Sequence, residues 1–243
     1  MGINSYREFA AVSELARWNV ERDIEWDKID TALALAQPEL LQQLRDSALI
    51  ESYHPMSTLS TIQLCWDDVD STSILQVEQF EGFRHFWVLR RYLDAVGFEP
   101  RITDEEVVGH RARNLDTVKY EPSEKIQVLI NFTWSEHFAG YFFLRVAEQA
   151  KEPVLAKLAQ LIAGDEFRHA DGGFRILQNL ILRDPGAVPK IIAAANQFRH
   201  YGNDVVEVPV SLRNDMDAIL KVVKRTQKIC NVPLSEFSLE TYA

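Results

Sequence analysis

Apolar residues recur at helical spacing along almost the whole chain, and polar or proline-containing breaks divide them into long segments. Residues 4–19 place Phe9, Val12, Leu15 and Trp18 on one side of a helix. A short segment from Ile24 to Ala36 is expected to pack over the bundle end. Pro38 then opens a helix at its first turn, where its missing N–H costs nothing. That helix runs PELLQQLRDSALIESYHPMSTLSTIQLCW, with Pro55 expected to kink it or mark a local irregularity. Asp70-Ser71-Thr72-Ser73 predicts a cap for the second core helix, ILQVEQFEGFRHFWVLRRYLDAV, which Gly97 and Pro100 stop. Residues 101–122 form a polar connection with a short helical piece from Asp104 to Arg113. Ser123 is expected to cap the third core helix, EKIQVLINFTWSEHFAGYFFLRVAEQAKE, which is apolar nearly all round and therefore central. Pro153 opens the fourth, PVLAKLAQLIAGDEFRHADGGFRILQNLILRD, and Asp184-Pro185-Gly186 ends it. Two more helices are predicted near 188–201 and 213–230, with Val205 to Val210 extended between them.

This pattern predicts an all-α fold: a four-helix bundle with additional flanking helices, in a single domain over 1–243. Composition supports it. Gly 10 and Pro 9 are too few for a turn-rich β fold, and 47% hydrophobic residues can fill a sizeable core. A net charge of -10 without a dense basic run argues against nucleic-acid binding. Cys65 and Cys230 make no disulfide framework and no Cys-x-x-Cys zinc site, and read as buried apolar fillers. No basic and apolar leader opens the chain and no long apolar run crosses it, so the expectation is a soluble cytoplasmic protein without a membrane span.

Several acids and histidines interrupt these apolar helices. They are Glu51 on the first, Glu78, Glu81 and His85 on the second, Glu136 on the third, and Glu166 and His169 on the fourth. The order Glu, Glu…His, Glu, Glu-x-x-His is that of a carboxylate-bridged two-metal site in a ferritin-like bundle. Hard carboxylate oxygens with imidazole and no thiolate suit iron, with manganese as the alternative. Four carboxylates would also neutralise two divalent cations among apolar side chains. His54 makes a formal Glu-x-x-His pair with Glu51 but reads as a packed neighbour of the ligands. His137, about 100° around the helix from Glu136, reads as structural.

These residues resemble the soluble acyl-acyl-carrier-protein desaturases over roughly residues 15–230. Leu49-Ile50-Glu51-Ser52-Tyr53-His54-Pro55 is similar to the family's first ligand stretch, and Arg84-His85 followed by Leu89, Tyr92, Leu93 and Gly97 to its second. Ser135-Glu136-His137-Phe138-Ala139 falls at the third. Leu158-Ala159-Gln160, Ile162-Ala163, Asp165-Glu166 and Arg168-His169 match the fourth closely. The resemblance implies a homodimer, two iron ions, O2 as co-substrate, a ferredoxin-like external electron donor, and oxidation of an acyl chain on acyl carrier protein. It assigns Glu51, Glu81, His85, Glu136, Glu166 and His169 to the metals. It gives Asp165 the task of holding a ligand histidine, with His85 the natural target. Trp18 extends that network toward the surface, with Trp26 as its rival.

Three positions depart from the family. A strict alignment on Arg84-His85 puts Gly82 where the second glutamate belongs. Glu81, four before His85, is the first choice if a π-bulge absorbs the extra residue, and Glu78 is the runner-up. Ala139 replaces a threonine that the family associates with proton delivery. The C-terminal end is short, so the substrate channel is expected to differ. The basic run Lys221–Lys228 on an amphipathic helix has two readings, a solvated face or a dock for an acidic carrier protein.

Overall fold

The computed structural model describes residues 5–113, 115–200 and 216–238. Among the described residues the chain is all-α, 80% helical, with no strand. Helices α1 (Ser5–Ala16), α2 (Thr31–Leu35), α3 (Pro38–Glu51) and α4 (His54–Leu64) precede the long α5 (Val69–Val96). After α6 (Asp104–Arg113) come α7 (Lys125–Gln149) and α8 (Pro153–Arg183), then α9 (Ala187–Asn196) and α10 (Met216–Cys230). α7 and α8 make the most extensive helix pair. α3 and α4 together line α5, and α5 closes the bundle against α8. None of the described helices is long and apolar enough to cross a membrane. The segment Val205 to Val210, expected to be extended, lies outside the described residues.

Local chemistry sets most of the boundaries. Pro38 and Pro153 occupy first turns. The Glu152 carboxylate accepts from the backbone N–H groups of Val154 and Leu155, and takes the Tyr92 hydroxyl at 2.9 Å, which ties the end of α5 to the start of α8. Gly97 ends α5 with φ 72, a left-handed backbone in which glycine carries no Cβ penalty.

Three boundaries differ from expectation. The predicted kink at Pro55 is a break: α3 stops at Glu51 and α4 starts at His54. Proline has no N–H for the carbonyl of residue 51, and its ring crowds that carbonyl. The chain makes a tight turn instead, with Tyr53 N–H on the Ile50 carbonyl at 2.9 Å. α5 starts one turn early because Asp68, not the Asp70–Ser73 cluster, caps it, accepting from Asp70 N–H and the Ser71 hydroxyl. α7 follows a 3-10 turn over Pro122–Glu124, closed by a reciprocal box between Glu121 and Glu124, so Ser123 is not its cap.

The interior has three strata. One apolar cluster joins Trp18, Leu44, Leu49, Val88, Leu89, Phe143, Leu158 and Ile162. A second joins Ile74, Leu75, Leu129, Trp134, Phe174, Leu177, Ile191 and Val222. On α5, α7 and α8 the chain passes from one cluster to the other through a buried polar layer. Each fully buried aliphatic or aromatic side chain stabilises the fold by about 1.5–3 kcal/mol, so the strata on either side hold this layer in place.

Candidate metal centre

The polar layer contains the carboxylates Glu51, Glu78, Glu81, Glu136, Asp165 and Glu166, the guanidinium groups Arg84 and Arg168, and the imidazoles His54, His85 and His169. All are buried. Fully ionised carboxylates would leave four negative charges unbalanced by the two arginines. A burial of that kind is costly unless cations offset it.

The histidines are gripped from outside. His85 Nε2 lies 3.0 Å from Asp165 Oδ2, and the same oxygen accepts from Trp18 Nε1 at 2.8 Å. His169 Nε2 lies 2.9 Å from Glu81 Oε2. Each ionised carboxylate can only accept, so these Nε2 atoms carry the protons and donate. In the neutral tautomer the other nitrogens then present lone pairs to the interior. His85 Nδ1 faces Glu166 Oε1 at 3.0 Å and Glu51 Oε2 at 3.7 Å. His169 Nδ1 faces Glu136 Oε2 at 3.0 Å and Glu166 Oε2 at 3.4 Å. A lone pair aimed at carboxylate oxygens is repulsive unless a proton or a metal lies between them.

The donor atoms form three overlapping sets, each within 4.8 Å: Glu51, His85 and Glu166; Glu136, Glu166 and His169; and His54, Glu78 and Glu136. Glu166 is shared by the first two. Buried Glu51 Oε2, both oxygens of Glu78 and His85 Nδ1 make no aligned hydrogen bond, although imidazole or carboxylate atoms lie close to them. Orphaned donors at common points, all oxygen or imidazole nitrogen, fit a pair of divalent first-row metals.

Of the residues expected at the site, Glu51, His85, Glu136, Glu166 and His169 come together in these sets. Glu81 does not enter them. Its carboxylate is paired with Arg168 at 2.8 Å and Arg84 at 3.2 Å, besides holding His169. Glu78 takes the interior place instead. α5 is α-helical throughout, with no π-bulge, and helix geometry explains the exchange. At about 100° per residue, Glu78 lies ~20° to one side of His85 and Glu81 ~40° to the other. Glu81-Gly82-Phe83-Arg84-His85 repeats Asp165-Glu166-Phe167-Arg168-His169 in register. Glu81 therefore answers Asp165, and each carboxylate holds the histidine of the other helix. This repeat is visible in the sequence and identifies the role of Glu81.

Trp18 sits where expected, bonded to Asp165, with the Arg84 guanidinium 4.5 Å over its ring. Trp26 donates to the Val20 carbonyl and takes no part. His137 turns away to the Ala218 carbonyl at 3.0 Å. In the basic run on α10, Lys221 pairs with Asp217 and Arg225 with Asp171, leaving Lys224 and Lys228 exposed. His54, which reads from the sequence as a packed neighbour of the ligands, lies in the third donor set.

Burial works against the charged forms of the three histidines, Glu166 and Asp165, and their partners reverse this. His54 is pushed well above the usual imidazole range, burial opposing but Glu78 and Glu51 outweighing it. His85 and His169 are likewise raised against burial, by Glu166 with Asp165 and by Glu136 with Glu166 and Glu81. Burial would raise Glu166, yet His85 and His169 hold it well below the carboxylate range. Asp165 is held low against burial by His85, Arg84 and Arg168. Glu136 is the exception, raised well above that range by burial and by the charge of Glu166.

Arg168 bridges Asp165 at 2.6 Å and Glu81 at 2.8 Å. Replacing it with methionine leaves two buried carboxylates short of a counter-ion, a loss of about 3–5 kcal/mol. Thermal unfolding of Arg168→Met should therefore begin at least ~6 °C below wild type, at about 2–4 °C per kcal/mol for a chain of this size. A shift under ~2 °C would show that Arg84 alone suffices.

No family model matches the chain, and no curated protein matches it. Among solved structures, an R2-like ligand-binding oxidase from Sulfolobus acidocaldarius shares the fold with a TM-score of 0.54. It is 16% identical and covers 98% of this chain and 93% of its own. The likeness is one of fold: the helices of this chain follow a ferritin-like architecture.

Proposed function

We propose that the chain holds two divalent first-row metal ions, iron or manganese, and acts as an O2-dependent oxidoreductase. The observation that carries the reading is the buried layer, whose orphaned oxygens and inward imidazole nitrogens share common points and whose charge two divalent cations would balance. In this reading Glu51, His85, Glu78, Glu136, Glu166 and His169 are ligands, Glu78 taking the place first given to Glu81. Bound there, a metal pair supplies reductive activation of O2 and oxidation of an unactivated C–H bond, with electrons from an external donor.

The chain's own residues do the rest. Asp165 and Glu81 fix the tautomers and ring planes of His85 and His169. The apolar strata exclude water. Trp18, Asp165 and His85 connect the layer to a surface groove of about 310 Å³ lined by Arg17, Trp18, Phe80, Arg84 and Trp87. That groove is where a ferredoxin-like donor would deliver electrons.

The substrate in this reading is a fatty acyl chain on acyl carrier protein, and the product an alkene. The resemblance of Leu158–His169 to the desaturase motif supports it. Gly82 and Ala139, both departures in or beside the centre, favour a second reading in which another substrate is hydroxylated, N-oxygenated or cleaved. Protein loaded with Fe(II) and supplied with reductant, O2 and a panel of acyl-carrier thioesters should yield products lacking two hydrogens by mass spectrometry. Oxygen uptake without any new acyl product would favour the second reading. Iron oxidation with no coupled organic product from a broad substrate panel would point to iron handling.

A further inference from the structure

Three residues before His169 stands Glu166, which two donor sets share. Three before His85, at the matching place on α5, stands Gly82. The centre thus lacks a carboxylate where its own repeat would place one. Something else occupies that space. A Cβ built on Gly82 would lie 2.7 Å from His54 Nδ1 and 2.8 Å from its Cγ, so the ring of His54 stands where a side chain at 82 would begin.

His54 reaches this place because the chain breaks after Glu51. The turn at Ser52 and Tyr53 starts α4 on a new axis and places His54 on its first turn. Both ring nitrogens then face acids: Nε2 lies 3.0 Å from Glu51 Oε2 and Nδ1 2.5 Å from Glu78 Oε1. The Nδ1–Glu78 contact is not aligned as a hydrogen bond, and neither Glu78 oxygen makes one with any other group, although the residue is fully buried. Nδ1, Glu78 and Glu136 offer donor atoms within 4.8 Å of one another, and Glu136 is also in the set of His169.

We infer that His54 is a third imidazole ligand of the metal pair, standing in for the carboxylate that Gly82 omits, on the ion it shares with Glu78 and Glu136. The inference rests on the two-metal reading. It gives the centre a nitrogen-richer donor set on one ion, with Glu78 entering from one turn earlier on α5. Glycine at 82 and histidine at 54 form one unit, because a larger residue at 82 would displace the ring.

Counting imidazoles tests this directly. Wild-type protein is loaded with Mn(II) alone, with and without 15N-histidine, and examined by pulsed electron paramagnetic resonance. Three coupled histidine nitrogens in wild type carry the proposal, with two in His54→Ala. Two in wild type overturn it, whether or not the alanine variant folds. Elemental analysis gives a second readout: His54→Ala should fall from two tightly held metals to one, and His54→Ala/Gly82→Glu should recover two with only two coupled nitrogens. Two metals held by His54→Ala at wild-type affinity would also overturn it. Wild type that binds no Mn(II) or Fe(II) would instead fail the two-metal reading beneath it.

Discussion

Glu166→Ala should weaken binding of both metal ions, whereas Glu51→Ala should cost only the ion it shares with His85. Glu166 is the carboxylate common to two donor sets, with Oε1 3.0 Å from His85 Nδ1 and Oε2 3.4 Å from His169 Nδ1. Without it, one ion keeps a single carboxylate, Glu51, and the other keeps Glu78 and Glu136 of its three, so both are held less tightly. Elemental analysis of proteins loaded with Fe(II) under identical conditions should read less metal per chain for Glu166→Ala than for Glu51→Ala, which should keep about one of the two ions because its loss empties only one donor set. More than one metal retained by Glu166→Ala would show that the ions do not share it. In the metal-free protein the variant loses a pairing with two imidazoles but also relieves the repulsion that raises Glu136.

The metal-free protein should lose stability as pH rises, and the metal-loaded protein should not. His54, His85 and His169 all bind protons more tightly when folded. Their stabilisation is complete below the unfolded imidazole value near ~6.5 and is lost as pH climbs through the raised folded values. Glu136 acts in the same sense from a lower starting point, above the ordinary carboxylate range of about 4.3, since its folded form also favours the proton. Glu166 and Asp165 are held low and act oppositely, losing their contribution only as pH falls through their depressed values. Between pH 6.5 and 9 the imidazoles and Glu136 dominate, so melting of chelator-stripped protein should fall steadily. Metal displaces those protons and binds more tightly as pH rises. At 100–1,000 times its dissociation constant it adds about 2.7–4.1 kcal/mol, or roughly 5–15 °C at this chain length. Calorimetry of both forms across that range decides the matter. A flat metal-free profile would mean that the folded imidazoles are already neutral.

Much of this architecture is readable from the chain because its punctuation is local. Pro38, Pro153 and Gly97 mark helix ends through their own backbone chemistry, and long apolar periodicity marks the bundle. Glu51, His85, Glu136, Glu166 and His169 stand out because charged residues on apolar helices are rare and their order is distinctive. The choice between Glu78 and Glu81 is harder. Both lie within about 40° of His85, so periodicity alone does not separate them. What separates them is Arg84 and Arg168, which claim Glu81 across two helices. His54 was hidden for a different reason. Pro55 is plain in the sequence, but a kink and a break differ by a rotation of everything after Glu51, and only packing against α5 sets that rotation. The vacancy at Gly82 was the available clue, since a glycine opposite a ligand position asks what fills it.

The layered interior also bears on how the protein matures. Two greasy ends, each built from the same long helices, can close around a middle that remains short of cations. On the two-metal reading the apolar packing at both extremities holds the helices, and loading is a local event between them. An ion entering such a middle displaces protons from imidazoles already aimed at it, and neither end has to open. On that reading the chain holds the centre in advance as imidazoles and carboxylates already aimed at common points.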